Sequence, residues 1–443
     1  MESLTILFHT LGGYVWGPVL LILLVGTGCY LTIRLGALQI RLLPEALRLA
    51  FSPKKHPEMP GDISQFQSLM TALAATIGTG NIAGVATAIV LGGPGALFWM
   101  WLSAFFGMAT KYAEGLLAVK YRVKEADGSM SGGPMYYIAN GLKMKWLAVC
   151  FAVFGMIAAL GTGASVQSNS LAQSAQASFG MPGWLTGVIL TSITALVILG
   201  GIKSIARVTA VIVPFMAATY LLGGLAVIVT NLDALLPALA VIFQDAFTGQ
   251  AAAGGAIGTV IRYGVARGVF SNEAGLGTAP IAAAAAKTDQ PVKQALVSMT
   301  GTFIDTIIVC SITGIVLVMG GEYQSGTTGA ALTSLAFDNM LPGPGGWIVT
   351  IGLLFFAYST ILGWSYYGEK CTQYALGKRF VTPYRWIYTS FVMIGTIVSL
   401  DLVWAVSDVF NGLMAFPNLI GIVMLSGVVI KETKDYLKVR GKK

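Results

Sequence analysis

Charge is what this sequence has least of. Asp, Glu, Lys and Arg make up 10% of its 443 residues, where a soluble domain carries about 25%. Hydrophobic residues reach 55% and the mean hydropathy is +0.75. A soluble globular chain is thereby excluded, and a polytopic all-α membrane protein is expected. Histidine is nearly missing: His9 and His56 are the only two, and neither falls at mid-span. The four cysteines (Cys29, Cys150, Cys310, Cys371) are far apart, with no metal-ligand spacing and no sign of a disulfide framework. No HExxH, GxSxG or phosphate-loop pattern occurs, so an enzyme is not expected; a bare acid pair, Glu273 with Asp305, carries no motif. No sequence pattern asks for an organic cofactor. The first residues lack a basic n-region and a small-residue cleavage site, so the first apolar stretch reads as a retained helix.

A membrane crossing needs about 20 apolar residues. Eleven such stretches are present, roughly 11–33, 66–91, 94–119, 146–168, 183–201, 206–230, 254–286, 294–320, 345–369, 382–404 and 410–430. Residues 38–51, LQIRLLPEALRLAF, are too charged to cross and read as an amphipathic helix lying in the interface. Lys and Arg also go missing selectively. Segments 92–94, 169–182, 231–253, 321–344 and 405–409 contain none. The alternate segments hold Arg34, Arg41, Arg48, Lys54 and Lys55; Lys120 to Lys145; Lys203 and Arg207; Lys287 and Lys293; Lys378, Arg379 and Arg385; and the tail from Lys431 to Lys443. That asymmetry puts the N-terminus outside and the C-terminus in the cytoplasm of a prokaryotic cell membrane. It also accounts for the net charge of +8 without nucleic acid as a partner.

Two of the stretches interrupt themselves at mid-depth. Residues 75–84 read ATIGTGNIAG, and residues 268–280 read GVFSNEAGLGTAP. Glycine inside a helix costs on the order of 1 kcal/mol against alanine, and polar groups at this depth need partners. With the first stretch set aside ten remain, and the interruptions fall in the first and the sixth, which run in opposite directions. This is the pattern of an inverted-repeat secondary transporter with two broken helices. The division is then 1–62 (first helix and amphipathic segment), 63–230 and 231–430 (five-helix repeats) and 431–443 (basic tail). At the first break a half-helix beginning near Gly80 offers free N–H groups and a positive end, suited to a carboxylate. The half-helix ending near Ile77 offers carbonyls, suited to Na⁺ or an ammonium. A zwitterion with a sodium ion fits both ends. The competing reading is a glycine-lined packing face.

At 92–107 the chain reads GGPGALFWMWLSAFFG, at 71–88 TALAATIGTGNIAGVATA, at 268–289 GVFSNEAGLGTAPIAAAAAKTD and at 355–371 FFAYSTILGWSYYGEKC. These resemble the alanine/glycine:cation symporter (sodium:alanine symporter) family, and the resemblance runs over essentially the whole chain. It implies a Na⁺-coupled importer of small neutral amino acids such as L-alanine and glycine, with a leucine-transporter-type five-plus-five core behind one extra N-terminal helix. It also implies a sodium site made by the carbonyls of Ala74, Ile77 and Phe356 with the hydroxyls of Ser359 and Thr360. Oxygen ligands suit a hard cation, although membrane Ser and Thr also bond back to their own helix. Substrate contacts are then expected from Thr79, Gly80 and Asn81 at the first break and from Phe270, Ser271, Asn272, Glu273 and Gly275 at the second. Gln167 would close the site from the side, and Phe270 and Trp364 would limit side-chain size or simply pack.

Glu273 reads as a cap or hinge support, a direct contact, or a proton carrier. Asp305 is intramembrane with no readable partner. Arg262 and Arg267 read as the only basic residues off the cytoplasmic side. They could form an outer gate with Asp245, Asp401 or Asp408, or snorkel to the outer headgroups. A channel would need a continuous ring or filter, whereas two mid-depth breaks suit an occluded site. The closer rival is a proton-coupled permease of the same fold. A monomer in the lipid bilayer is expected.

Overall fold

The computed structural model describes residues 2–52, 58–248, 257–398 and 401–440. His56, Lys54, Lys55, Lys442 and Lys443 lie outside the described residues. Apart from one short hairpin, Val123–Lys124 with Met130–Ser131, and an isolated bridge, regular structure among the described residues is helical. The principal helices are α1 (Pro18–Arg34), α2 (Gln65–Thr76 then Gly80–Gly92), α3 (Ala96–Lys120), α4 (Lys145–Phe179), α5 (Gly183–Ile198), α6 (Gly201–Thr230), α7 (Ile257–Asn272 then Ala279–Ala284), α8 (Pro291–Gly320), α9 (Pro344–Leu376), α10 (Val381–Ile397) and α11 (Asp401–Met424).

Each of the eleven expected stretches overlaps one of these helices. Six helices among the described residues, however, are long and apolar enough to cross a membrane, or seven when the bent pair of α2 counts as one. The others fall short for visible reasons. α5 and α10 have 16 and 17 residues, about 24–26 Å of helix. α7 is split, and α3 carries Lys111 and Glu114 in its interior. The outward faces are those of a membrane protein: Val211, Phe215, Leu222 and Val229 all stand exposed on one side of α6, an arrangement that water would penalise.

Three expectations about connections need correction. Residues 405–409 are not a loop but the second turn of α11, because Ser407 and Asn411 find a buried face there. Most of 169–182 continues α4, which ends where Gly180 turns left-handed at φ +65°. The segments 231–253 and 321–344 carry helices of their own, Leu232–Thr248 and Gly329–Met340. The amphipathic stretch is helical as Leu38–Arg41 and Leu43–Ala50, with Ala46 and Ala50 turned inward. The N-terminal residues Glu2–Val15 form a further helix against α11, separated from α1 at Trp16–Gly17, where Pro18 supplies no donor.

α3 packs against both α7 and α8, while α9 packs against α6 and α4, and α5 against α10. The inner half of α2 lies between these groups, touching α6, α8 and α9. Wide π-type turns interrupt three helices that face it: Gly80–Gly84 in α2, Ala159–Ser165 in α4 and Phe303–Cys310 in α8. Such turns are frequent at functional sites.

Candidate functional site

The inner half of α2 starts at a capping box, Ser64 with Gln67, and stops at Ile77, whose ψ of 92° leaves the helix. The chain resumes at Gly80 with its axis turned by 52°. Carbonyls at the end of the first half are released from the ladder. Ser359 and Thr360 of α9 lie beside them. Ser359 Oγ is 2.9 Å from Phe356 O, 3.2 Å from Ala74 O and 3.5 Å from Ile77 O. Thr360 Oγ1 is 2.9 Å from Phe356 O, 3.1 Å from Ala74 O and 3.4 Å from Ile77 O. All five residues are buried. Two hydroxyl protons serve three carbonyl oxygens here, so lone pairs are left over. A hard monovalent cation would satisfy all five neutral oxygens together. Gly78 is needed for this approach: a Cβ there would sit 2.5 Å from Thr360 Oγ1.

The amide end of the break is held by side chains. Asn81 Oδ1 accepts from Gly78 N at 2.9 Å, and Gln167 Oε1 of α4 accepts from Thr79 N at 3.3 Å. Thr79 Oγ1 is buried without a protein partner, as is the nearby Thr162 Oγ1, while Gln167 Nε2 donates to Thr162 O at 3.2 Å. Phe270 closes this corner, since a Cβ on Gly80 would meet its Cδ1 at 3.6 Å and Ser271 Cα at 3.4 Å. Trp364 is fully buried and packs edge-on against Tyr367. The two breaks also meet through Asp305 of α8. Its Oδ1 accepts from Asn81 Nδ2 at 2.8 Å, and its Oδ2 accepts from Ser271 Oγ at 2.9 Å and Thr306 Oγ1 at 2.7 Å. The partner that the sequence left unread is thus Asn81, with Ser271.

At the second break the outer half of α7 ends at Asn272. Glu273, Gly275 and Gly277 then take left-handed backbone, at φ +57°, +90° and +87°. Only glycine does this without penalty, so Glu273 is strained by about 1–2 kcal/mol. Its carboxylate accepts from the hydroxyl of Thr278, the residue just before the next half-helix. Asn272 Nδ2 donates to Thr306 Oγ1 at 3.0 Å. Two further charged residues converge here that the sequence reading missed. Lys111 Nζ donates to Asn272 O at 2.8 Å, and Glu114 Oε1 accepts from Gly275 N at 3.1 Å and Asn418 Nδ2 at 2.7 Å. Both side chains are buried. Arg262 and Arg267 are therefore not the only basic residues away from the Lys- and Arg-rich connections: Lys111 is a third, buried well inside α3. The signal was Lys and Glu three apart in an otherwise apolar stretch.

Arg262, Arg267 and Phe270 line a cavity of about 230 Å³ with His9, Trp16 and Asp408. Of the three candidate acids, Asp408 shares this cavity. Asp245 instead caps α3, accepting from Gly95 N at 2.8 Å, and Asp401 sits in the first turn of α11. On the opposite face lies a cavity of about 650 Å³ lined by Asp62, Tyr366, Glu369, Lys370 and Arg385 among others. Beside it Lys378 pairs with Asp127 at 2.7 Å, and with Ser129 it holds the Asp127 carboxyl below the usual range. Here the inner ends of the two broken helices are clasped. Asp62 N and Ile63 N donate to Ala285 O at 2.8 and 3.2 Å, and Lys287 N donates to Ile63 O at 2.7 Å. Arg122, at the end of α3, donates to the carbonyls of Ala284 and Ala286 at 2.9 and 2.7 Å, and to those of Pro60 and Thr288 at 3.0 and 3.1 Å.

Comparison with known proteins adds to this geometry. The profile of the sodium:alanine symporter family matches residues 1–443. The sodium/alanine symporter AgcS of Methanococcus maripaludis is 57% identical over 442 residues, covering 98% of this chain and 97% of that one. The probable sodium/glutamine symporter GlnT of Bacillus subtilis is 38% identical, covering 98% and 91%. Among solved structures, MhsT in complex with L-phenylalanine matches with a TM-score of 0.60 at 13% identity, covering 84% of this chain and 98% of that one. A Na⁺-coupled sialic acid symporter in its substrate-bound outward-open state matches with a TM-score of 0.52 at 10% identity, covering 94% and 86%. At such identities the likeness is one of fold.

Proposed function

The chain belongs to the sodium:alanine symporter family, and on that premise we propose that it imports small neutral amino acids, alanine and glycine first, by symport with Na⁺ through alternating access. The family is one of transporters, so the chain is not an enzyme. The observation that carries the sodium reading is the gathering of five neutral oxygens, from Ala74, Ile77, Phe356, Ser359 and Thr360, at the carbonyl end of a broken helix. Sodium is cargo here: its binding joins the first break to α9, so occupancy favours the arrangement in which both are seated.

The amino acid belongs in the corner between the breaks. Its carboxylate faces the N-terminal end of the half-helix at Gly80, with the unpartnered Thr79 hydroxyl beside it. Its ammonium faces the carbonyls and side chains of Phe270, Ser271 and Asn272. Gln167 closes the side, and Phe270 and Trp364 bound the space for the side chain. Asn81 and Glu273 hold the two turns in shape, and Gly275 allows close backbone approach. The relatives' names span alanine and glutamine, so side-chain size is the property those walls must set. The topology that goes with this is eleven crossings, repeats at 63–230 and 231–430, and a cytoplasmic C-terminus, in a monomer.

Buried Glu273 and Asp305 support a second reading, in which a proton replaces the sodium ion. Uptake of [³H]alanine into proteoliposomes decides between them. Accumulation under an inward Na⁺ gradient that vanishes when K⁺ replaces Na⁺, at two pH values, is expected. Uptake that ignores Na⁺ and follows a pH gradient would assign coupling to the carboxylates.

A further inference from the structure

We propose that Lys111 is the resident cation of the second break, so that only the first break takes a coupling ion and each alanine enters with one Na⁺. This rests on the sodium-symport reading above.

A half-helix that stops inside a membrane leaves its last carbonyls without partners and carries roughly half a negative charge at that end. This chain has two such ends, and it treats them differently. At the first, the neighbours are neutral: three carbonyls and the hydroxyls of Ser359 and Thr360. At the second, the ammonium of Lys111 donates directly to Asn272 O at 2.8 Å. A side chain 2% exposed holds its charge at this depth only where acids or carbonyls meet it. Among the described residues no acid pairs with it within 4 Å, so the Asn272 carbonyl is its direct partner, with Glu114 on the same face of α3.

The placement is built from one helix. Lys111 and Glu114 are three residues apart and so share a face of α3. The lysine serves the carbonyl side of the gap, and the glutamate serves the amide side through Gly275 N at 3.1 Å. Asn418 closes the set, donating to Glu114 Oε1 at 2.7 Å and to Gly275 O at 2.9 Å. Glu114 Oε2 is buried without a hydrogen-bond partner, so the site holds acceptor capacity to spare. A sodium ion at Asn272 O would have to displace the Lys111 ammonium that already sits there, whereas the carbonyls of Phe270 and Ser271 stay open to the ammonium of the substrate. One sodium with one zwitterion then moves a single positive charge per cycle.

The test compares the wild type with Lys111→Ala and Lys111→Met. In proteoliposomes, ²²Na⁺ and [³H]alanine uptake measured together should give a ratio of about one for the wild type. Lys111→Ala leaves a hole beside Glu114 and Asn272 that a second sodium can fill, and its ratio should rise to about two. Lys111→Met fills the hole without charge, and its uptake should fall at least about tenfold at any Na⁺ concentration. A wild-type ratio of two, or a Lys111→Ala ratio unchanged at wild-type rate, overturns the proposal. Thermal shift in detergent gives a second readout that does not need transport. Na⁺ in place of choline should raise the melting temperature of Lys111→Ala more than that of the wild type or Lys111→Met. Equal shifts overturn the resident-cation role. Wild-type uptake indifferent to Na⁺ would instead sink the sodium reading, and the thermal shifts would still judge Lys111.

Discussion

At the scale of single residues, the proposed sodium site hangs on two hydroxyls and one missing Cβ. Ser359→Ala with Thr360→Ala removes both side-chain oxygens. The Na⁺ concentration for half-maximal alanine uptake should rise at least about tenfold, a loss of ~1.4 kcal/mol. Gly78→Ala should do the same from the other side, because its Cβ would lie 2.5 Å from Thr360 Oγ1 and push that hydroxyl away. Alanine affinity at saturating Na⁺ should change much less in either variant, and a titration of uptake against both solutes checks this. How far such residues were legible varies. Asn81, Ser271 and Asp305 stand out in the sequence as polar groups at mid-depth, but that they form one network around the Asp305 carboxylate follows only from how α2, α7 and α8 cross. Ser359 and Thr360 look like any membrane hydroxyls and were singled out by family resemblance. Lys111 and Glu114 went unread because a long aromatic-rich stretch looks like an ordinary crossing until α7 is seen to break against it.

At the scale of elements, glycines beside Asn and Thr in apolar surroundings announced both breaks, since a glycine-lined packing face does not call for polar side chains at the midpoint of two corresponding helices. Loops were less legible. A polar stretch such as AVSDV at 405–409 reads as a connection when lipid is the only neighbour considered, yet it becomes helix once a protein face buries Ser407. The hairpin Val123–Ser131 was also unforeseen. It is tied across to the α9–α10 connection by Lys378 and Asp127, an exposed pair worth at most about 1 kcal/mol. Asp127 is held below the usual carboxylate range by Lys378 and Ser129. A depressed value means the pair's contribution is fully present above the ordinary carboxylate pKa of about 4 and is lost only as pH falls through the lower, folded value. Lys378→Ala should therefore speed amide exchange in the hairpin equally at about pH 5 and pH 8, by up to about fivefold. Hydrogen exchange followed by mass spectrometry measures it.

At the scale of the whole molecule, the selective absence of Lys and Arg gives an orientation that can be tested directly. In a background with Cys29 and Cys150 replaced by serine, Lys438→Cys should resist a membrane-impermeant maleimide in right-side-out vesicles and react once the membrane is opened. Tyr323→Cys should react without opening. The reverse pattern would invert the topology and with it the direction of import. The fold class was readable from composition and spacing because lipid imposes helices. The number of crossings was not secured in the same way, since α5, α10 and the split α7 are too short to announce themselves by length.

The clasp between the inner ends of α2 and α7 has a mechanical meaning. Residues 60–63 and 284–288 share main-chain bonds, and Arg122 grips both. The inner half-helices and the foot of α3 are thus one lever and cannot swing apart without tearing several bonds at once. The Lys378–Asp127 bridge, by contrast, joins that lever to the α9–α10 side. A disulfide locking Ile63→Cys to Ala286→Cys, inside the lever, should leave alanine uptake unchanged. A bis-methanethiosulfonate reagent bridging Asp127→Cys and Lys378→Cys, across its joint, should stall uptake until a reductant is added.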